Sequence, residues 1–158
     1  MQELFHSPTK GALTFEQMMK IITDYMLEKS GEYRLIIGTD SAENEGEAVF
    51  VTAVILYRIG KGGIYFYRRY REESIHSFKQ RIFYEAHLSL DLASRISLAL
   101  SEVNLDNYPQ LEIHLDVGEG GKTKEIVASV IAYVSGNGFK AKIKPESFGA
   151  TKVADKYV

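Results

Sequence analysis

A short apolar stretch over residues 33–41 is the feature that most constrains the fold of this chain. It reads YRLIIGTDS, and its centre has the composition of a β-strand that is buried on both faces. The stretch ends in GTDS, which places the carboxylate of Asp40 directly after a buried strand. An isolated Asp at such a place most simply begins a turn. Three later carboxylates in comparable positions make a shared metal site the alternative interpretation.

The rest of the chain predicts alternating helices and strands. Thr14 and Ser77 each begin a helix, because a Gln three residues later completes the spelling of a capping box. Two β-rich runs joined by a Gly-rich turn at 60–63 predict a hairpin. After a leading helix, the expected elements are a strand ending at GTDS, strands at 48–59 and 64–71, a helix at 77–103, a strand at 111–117, a helix at 122–135, a strand at 139–144 and a helix at 149–158.

This order, β-β-β-α-β-α-β-α, predicts an α/β protein with a mixed five-stranded sheet flanked by helices. The sheet is expected to be antiparallel at the hairpin and parallel elsewhere, because strand–helix–strand crossovers require parallel pairing. The first 13 residues are expected to be irregular. We expect a single domain over residues 1–158, with residues 1–32 as an N-terminal helical extension.

Composition removes several functional classes. The chain has no cysteine, which excludes disulfides, thiolate zinc sites and cysteine nucleophiles; this fits a reducing compartment, and we expect the cytoplasm. No apolar run approaches the roughly 18 residues of a membrane span, and residues 1–10 lack the apolar centre of a signal peptide. We therefore expect no membrane partner. The stretch GEGGKT resembles a phosphate-binding loop, but Asp116 occupies the position of that motif's first Gly.

Glu85 is the carboxylate whose predicted position most needs an explanation. A helical projection of residues 77–103 places it on one stripe with apolar residues, namely Phe78, Ile82, Leu92, Ile96, Ala99 and Val103. An ionised Glu is costly to bury unless a partner compensates its charge. A structural salt bridge and a metal ion are both such partners, and the sequence leaves both open.

Asp116 ends the strand LEIHLDV much as Asp40 ends the earlier strand. If these strands are parallel neighbours, both carboxylates reach the same carboxyl-terminal edge, where ligands bind in open α/β sheets. Asp155 lies in the final predicted helix, as either a fourth member of this group or an ordinary surface residue. Four oxygen ligands without cysteine or clustered histidine suit Mg²⁺ or Mn²⁺. Two such ions can activate a water and stabilise the leaving oxygen of a phosphodiester.

The element order and the positions of the four acids resemble the ribonuclease H-like (retroviral integrase-like) superfamily over residues 33–158. The stretches GTDS and LDVGEGGKT are similar to an uncharacterised bacterial family of predicted ribonuclease H-like proteins. The resemblance implies a nuclease or related phosphoryl-transfer enzyme with two divalent metal ions. It also implies four catalytic metal ligands, which are Asp40, Glu85, Asp116 and Asp155. A non-catalytic nucleic-acid- or protein-binding module on the same fold stays open as the alternative.

Candidate substrate contacts come from residues near these acids. Without the four carboxylates, the net charge of −2 would be +2, and we expect DNA, RNA or a hybrid as the partner. Lys122 begins a predicted helix, whose N-terminus favours a phosphate, and Ser41 directly follows Asp40. Arg69 and Arg71 belong to a strip of alternating aromatic and basic residues, and strand alternation sends both to one face. An ordinary half-buried strand is the alternative explanation of the strip.

Overall fold

The structure of the protein, a computed structural model, describes residues 3–75, 77–118, 121–147 and 149–158, and the side chains among them except those of residues 44 and 121–123. The elements in this part of the chain are β1 (Phe5–Ser7), β2 (Gly11–Leu13), α1 (Phe15–Glu28), β3 (Tyr33–Asn44), β4 (Glu47–Arg58), β5 (Gly62–Glu72), α2 (Phe78–Ser101), β6 (Gln110–His114), a 3-10 helix (Gly121–Ile126), α3 (Val127–Gly136), β7 (Lys140–Lys142) and α4 (Ala150–Tyr157).

The strands form one mixed sheet in the order β2-β1-β5-β4-β3-β6-β7. β3, β4 and β5 make an antiparallel meander. β6 pairs parallel with β3, and β7 pairs parallel with β6. The predicted mixed α/β architecture is therefore confirmed, with the five expected strands present as β3 to β7.

The N-terminal segment differs from the expectation that it is irregular. It contains β1 and β2, which pair antiparallel with each other and extend the sheet through the pair His6↔Tyr67. The sheet thus has seven strands rather than five. The physical reason is burial, because Phe5 and Leu13 of these strands pack in the main core. Such short strands carry too little periodicity to stand out in a polar segment.

Both predicted capping boxes are present. At the start of α1, the N–H of Gln17 donates to Thr14 Oγ1 at 3.1 Å, and the N–H of Thr14 donates to the Gln17 side chain at 2.8 Å. Ser77 and Gln80 make the same reciprocal bonds at the start of α2. These bonds satisfy backbone donors that no helical partner reaches, so they determine where each helix begins.

Among the helices that the structure describes, none is long and apolar enough to cross a membrane.

The sheet separates two apolar clusters of unequal size. The large one contains residues of α1, α2 and α3, and Leu35 and Ile37 of β3 belong to it. The small one lies beneath α4 and includes Ile36 of β3 together with Ala150 and Ala154. Alternation of side chains along a strand produces this division. The prediction that β3 is buried on both faces is thus confirmed.

β3 is longer than expected and carries Asp40 inside it. It pairs with β4 as far as Asn44↔Glu47, and the two-residue turn at 45–46 has positive φ at both positions, 51° and 83°. Turns with two positive φ values match the twist of hairpin strands. The parallel partner β6, in contrast, stops opposite Gly38. Asp40 is therefore still paired with β4 on one side, whereas on the other side it lies beyond the end of β6.

Gly38 allows α4 to lie directly on the sheet. A Cβ at this position would stand 2.9 Å from the Cβ of Ala150 and 3.1 Å from the backbone nitrogen of Thr151. Neither atom belongs to a flexible side chain that can turn away. The close approach of α4 thus depends on a residue without a side chain at this point of β3.

We expect Gly38→Ala to displace α4 and to lower the free energy of unfolding by about 1–3 kcal/mol, as measured by urea denaturation. Gly136→Ala is the matched control, because a Cβ at Gly136 meets no atom within 4 Å and alanine favours a helix. The control should keep or raise the stability. A Gly38→Ala protein as stable as the wild type would contradict the close packing of α4 on β3.

Candidate active site

Three segments of the chain align at one edge of the sheet because the parallel strands share a register. Gly38 of β3 lies opposite His114 of β6, and His114 lies opposite Lys142 of β7. Side chains two residues apart in a strand point to the same face. The residues two positions further along these segments are Asp40, Asp116 and Lys144. The register therefore sets two acids and a lysine in one row on the face that α4 covers.

α4 completes an acidic pocket beside this row. The pocket has a volume of about 210 Å³ and is lined by Asp40, Asp116, Thr151, Lys152 and Asp155. Thr151 and Asp155 are four residues apart and so lie on one side of the helix. Ala150 and Ala154 are fully buried against the sheet. Three of the four predicted acids thus line one pocket.

Asp40 lies in an environment that favours its protonated form. Burial is the main cause that raises the pKa of Asp40 to about 7, and a hydrogen bond with Asp155 and the charge of Asp116 act in the same direction. The N–H of Ser41 donates to Asp40 Oδ1 at 2.9 Å and opposes the shift. Carboxylates this close repel one another unless a proton or a cation intervenes.

Glu85 lies on the other face of β3 and does not line the pocket. Ser41 follows Asp40 and so points away from it, and its hydroxyl donates to Glu85 Oε2 at 2.5 Å. Arg81 donates to the hydroxyl and to the carbonyl of Ser41, both at 3.2 Å. Within the described part of the chain, Glu85 makes no salt bridge, so the structural ion pair that the sequence left open is not found there.

The surroundings of Glu85 also favour its protonated form. Burial is the main cause that raises the pKa of Glu85 to about 8, and the charges of Asp40 and Asp116 act in the same direction. The hydrogen bond from Ser41 and the charge of Arg81 act in the opposite direction. Glu85 is therefore coupled electrostatically to the pocket although β3 separates them.

Lys144 is a site residue that the sequence analysis missed. Its Nζ lies 2.7 Å from Oδ1 of Asp116, and this bond raises the pKa of Lys144. The register that aligns Asp40 with Asp116 also aligns Lys144, because Lys142 lies opposite His114 in the parallel pair of β6 and β7. Lys144 is the last residue of the strand predicted for this segment, but only the register of β7 against β6 shows that it lies beside Asp116.

A buried ionic network lies on the same sheet face as the pocket. Arg34 donates to the two carboxylate oxygens of Glu112 at 2.8 and 2.6 Å. His114 Nε2 and Lys142 Nζ lie 3.1 and 3.3 Å from Glu112 Oε1. Burial alone would raise the pKa of Glu112, but the bonds from Arg34, His114 and Lys142 lower it to about 2. The network ties β6 to both neighbouring strands just before Asp116, and the sequence analysis did not find it.

Arg69 and Arg71 lie on the same sheet face as the pocket. Asp40 pairs with Val51 of β4, and Val51 pairs with Arg69 of β5. Two strand spacings place the backbone of Arg69 about 10 Å from that of Asp40. Both arginines are exposed, and the guanidinium of Arg71 lies 3.6 Å from the Glu47 carboxylate. The alternation that the sequence predicts therefore directs these two cations toward the acidic side.

Ser41 and Lys122 complete the set of predicted substrate contacts. Ser41 is buried, and its hydroxyl faces Glu85 and Arg81 rather than the pocket. The side chain of Lys122 lies outside the described residues. Its backbone belongs to the 3-10 helix, where the sequence predicted the first turn of an α-helix.

The donor atoms of the pocket fit a hard divalent cation, although they do not yet surround one point. Among the residues that the structure describes, no three or more carboxylate, imidazole or thiol side chains are grouped as a metal site. The lining atoms are carboxylate oxygens and the Thr151 hydroxyl, which are ligand types of Mg²⁺ and Mn²⁺. The ammonium of Lys144 compensates charge of Asp116 that such a cation would otherwise compensate.

The pKa of Glu85 predicts how the metal-free protein depends on pH. Because this pKa rises from its ordinary value of 4.5 to about 8, the folded protein holds a proton that the unfolded chain loses between these values. Stability should therefore fall as the pH rises from about 5 to about 8. We expect Glu85→Gln to keep the fold and to exceed the wild type at pH 8 by on the order of 1–3 kcal/mol in urea unfolding, with the gap narrowing toward pH 5.

Asp91→Asn is the control for this experiment, because Asp91 is an exposed carboxylate on the same helix. It should show no gap that grows with pH. A large loss of stability in Glu85→Gln at every pH would contradict the account and would indicate a structural ion pair instead.

Comparison with known proteins identifies the family of the chain. A family model described as Ribonuclease H-like matches residues 17–158. The chain is 28% identical over 165 aligned positions to the Uncharacterized protein YkuK of Bacillus subtilis (strain 168), an alignment that covers 98% of this chain and 96% of that protein. No solved structure matched the chain. Because the family match spans most of the sequence, the chain belongs to the ribonuclease H-like family.

Proposed function

We propose that this protein is a divalent-metal-dependent nuclease, or a related phosphoryl-transfer enzyme, that acts on nucleic acid. The observation that carries the proposal is the pocket lined by Asp40, Asp116 and Asp155 at the carboxyl-terminal edge of the parallel strands. Crowded carboxylates at this edge suit the binding of a hard cation. Membership of the ribonuclease H-like family supports the class of reaction.

Each acid has a role in this proposal. Asp40 and Asp116 hold the cation, Asp155 adds an oxygen from α4, and Glu85 contributes from α2 through its electrostatic link to the pocket. Mg²⁺ or Mn²⁺, when bound, supplies a Lewis acid that lowers the pKa of a water and stabilises the charge on the leaving oxygen. The protein's own contribution is to hold the oxygen ligands in place before the cation arrives.

The fold supplies three separate means of holding the four acids. The register of β3 and β6 places Asp40 beside Asp116. The close contact of α4 with Gly38 positions Asp155. The hydroxyl of Ser41 holds Glu85 against the back of β3. Acids whose backbones are held in this way lose less freedom when a cation and substrate bind.

We place the substrate on the face that carries Arg69 and Arg71. These arginines follow Tyr67 along β5, and Tyr67 stacks on Tyr157 of α4 with ring centroids 3.7 Å apart. This stacking joins α4 to the strand that carries the two cations. These arginines are exposed, and the backbone of Arg69 lies about 10 Å from that of Asp40. Such cations suit the phosphates that flank a scissile bond at the pocket.

Cleavage assays test this proposal. Labelled single-stranded DNA, single-stranded RNA, RNA–DNA hybrid and branched DNA are incubated with the protein in the presence and absence of Mn²⁺. We expect Mn²⁺-dependent cleavage of at least one substrate, its loss in Asp40→Asn and Asp116→Asn, and its retention in the control Asp91→Asn. Cleavage that persists in both pocket variants would contradict the proposal. Binding without cleavage of any substrate would favour the non-catalytic module instead.

The basic surface gives an independent prediction about binding. Each arginine that neutralises a phosphate releases counterions, which adds to the salt dependence of affinity. We expect Arg69→Ala with Arg71→Ala to weaken nucleic-acid binding regardless of sequence and to flatten the slope of log K against log salt by roughly 1–2. Metal affinity should not change. The measurement is a fluorescence anisotropy titration at several salt concentrations.

Lys10→Ala with Lys61→Ala is the matched control, because it removes the same charge from two exposed turn residues. Lys61 lies in the turn before β5, at the opposite end of that strand from Arg69 and Arg71. The control should leave the slope near that of the wild type. An unchanged slope in the arginine double variant would assign Arg69 and Arg71 to ordinary sheet surface.

A further inference from the structure

Lys144 compensates the charge of Asp116 in this structure. The two groups are 2.7 Å apart, yet the Lys144 side chain is 59% exposed and the Asp116 side chain 35%. An ion pair this accessible to water contributes little stability. The Lys144 ammonium can therefore exchange Asp116 for another partner at little cost. A contribution to stability does not explain the presence of a lysine at position 144.

The backbone fixes where Lys144 stands. The N–H of Lys144 donates to the carbonyl of Val117 at 2.9 Å, and the N–H of Leu115 donates to the carbonyl of Lys142 at 2.8 Å. A Cβ on Gly118 would lie only 3.4 Å from the Cβ of Lys144. The base of the lysine is therefore held beside the backbone that follows Asp116, and only its flexible end is free to change partner.

Lys144 also acts on the neighbouring acid of the row. The charge of Asp40 attracts its ammonium, so Lys144 is in electrostatic reach of two of the carboxylates that line the pocket. A divalent cation between those carboxylates would repel an ammonium at this distance. The ammonium would then remain at the rim of the pocket because its backbone is held there.

We propose that Lys144 is an internal cation of the acidic pocket. In the metal-free protein its ammonium forms an ion pair with the Asp116 carboxylate. When a divalent cation binds, the ammonium leaves Asp116 and then contacts a phosphate of the bound nucleic acid. This inference rests on the proposed function and extends it, because it makes the affinity for nucleic acid depend on metal binding. The ammonium has the three rotatable donors and the flexible stem that such an exchange requires.

Metal binding alone tests the exchange. We expect Lys144→Gln to bind Mn²⁺ about three- to tenfold more tightly than the wild type in isothermal titration calorimetry, because the competing ammonium is gone. Lys152→Gln is the matched control. Lys152 lines the same pocket, but among the described residues it makes no ion pair with an acid of the pocket. Its removal should raise the Mn²⁺ affinity less than the removal of Lys144, since no ion pair with an acid of the pocket is lost with it.

Amine reactivity provides a second readout that needs no substitution. The protein is acetylated briefly with and without Mn²⁺, and the modified fraction of each lysine is measured by mass spectrometry. Acetylation of Lys144 should increase when Mn²⁺ is present, whereas that of the exposed Lys61 should not change.

The outcomes separate this inference from the proposed function. A wild-type protein that binds no Mn²⁺ would overturn both. Mn²⁺ binding that is lost in Asp40→Asn, together with unchanged reactivity of Lys144 or equal effects of Lys144→Gln and Lys152→Gln, would overturn the inference and leave the proposed function standing.

Discussion

The parallel pairing of β3, β6 and β7 is the constraint on which the rest of the site depends. Its register sets Gly38, His114 and Lys142 side by side. The residues two positions later, Asp40, Asp116 and Lys144, therefore also lie close to one another. A shift of one residue in this pairing would turn a whole segment to the other face. The acids would then no longer share a pocket with α4.

Two features protect that register. The ion pair between Arg34 and Glu112 crosses from β3 to β6 in a buried environment, where breaking one partner leaves an uncompensated charge. The close contact of α4 with β3 is the second feature, because a side chain at Gly38 would collide with Ala150 and Thr151. The same face contains a buried ionic network around Glu112 beneath α4 and, at the edge of the sheet, Asp40, whose pKa is raised. This contrast separates the residues that hold the fold from those that we assign to chemistry.

Much of the fold is predictable from the sequence because its signals are local. The capping boxes, the apolar run before Asp40 and the Gly-rich hairpin each occupy a few adjacent residues. The meeting of Asp40 with Asp116 is also predictable, since crossovers imply parallel neighbours. Lys144 and Glu112 escape such reasoning because their positions depend on the register of strands far apart in the chain.

Glu85 marks the limit of that reasoning. Its helical stripe correctly indicates a buried acid that needs a partner, but the partner that the structure provides is the hydroxyl of Ser41. That contact arises because β3 continues past Asp40 as a regular strand, so consecutive residues point to opposite faces. The extension of β3 depends on its pairing with β4, which the sequence around Asp40 alone does not reveal.

The most direct test of the account is to locate a bound cation. A crystal of the protein soaked in Mn²⁺ and measured for anomalous scattering shows where the ion lies. The account predicts a peak about 2 Å from carboxylate oxygens of Asp40 and Asp116, with the Lys144 ammonium withdrawn from Asp116. A crystal in which the pocket has no peak, while Lys144 still contacts Asp116, would contradict it.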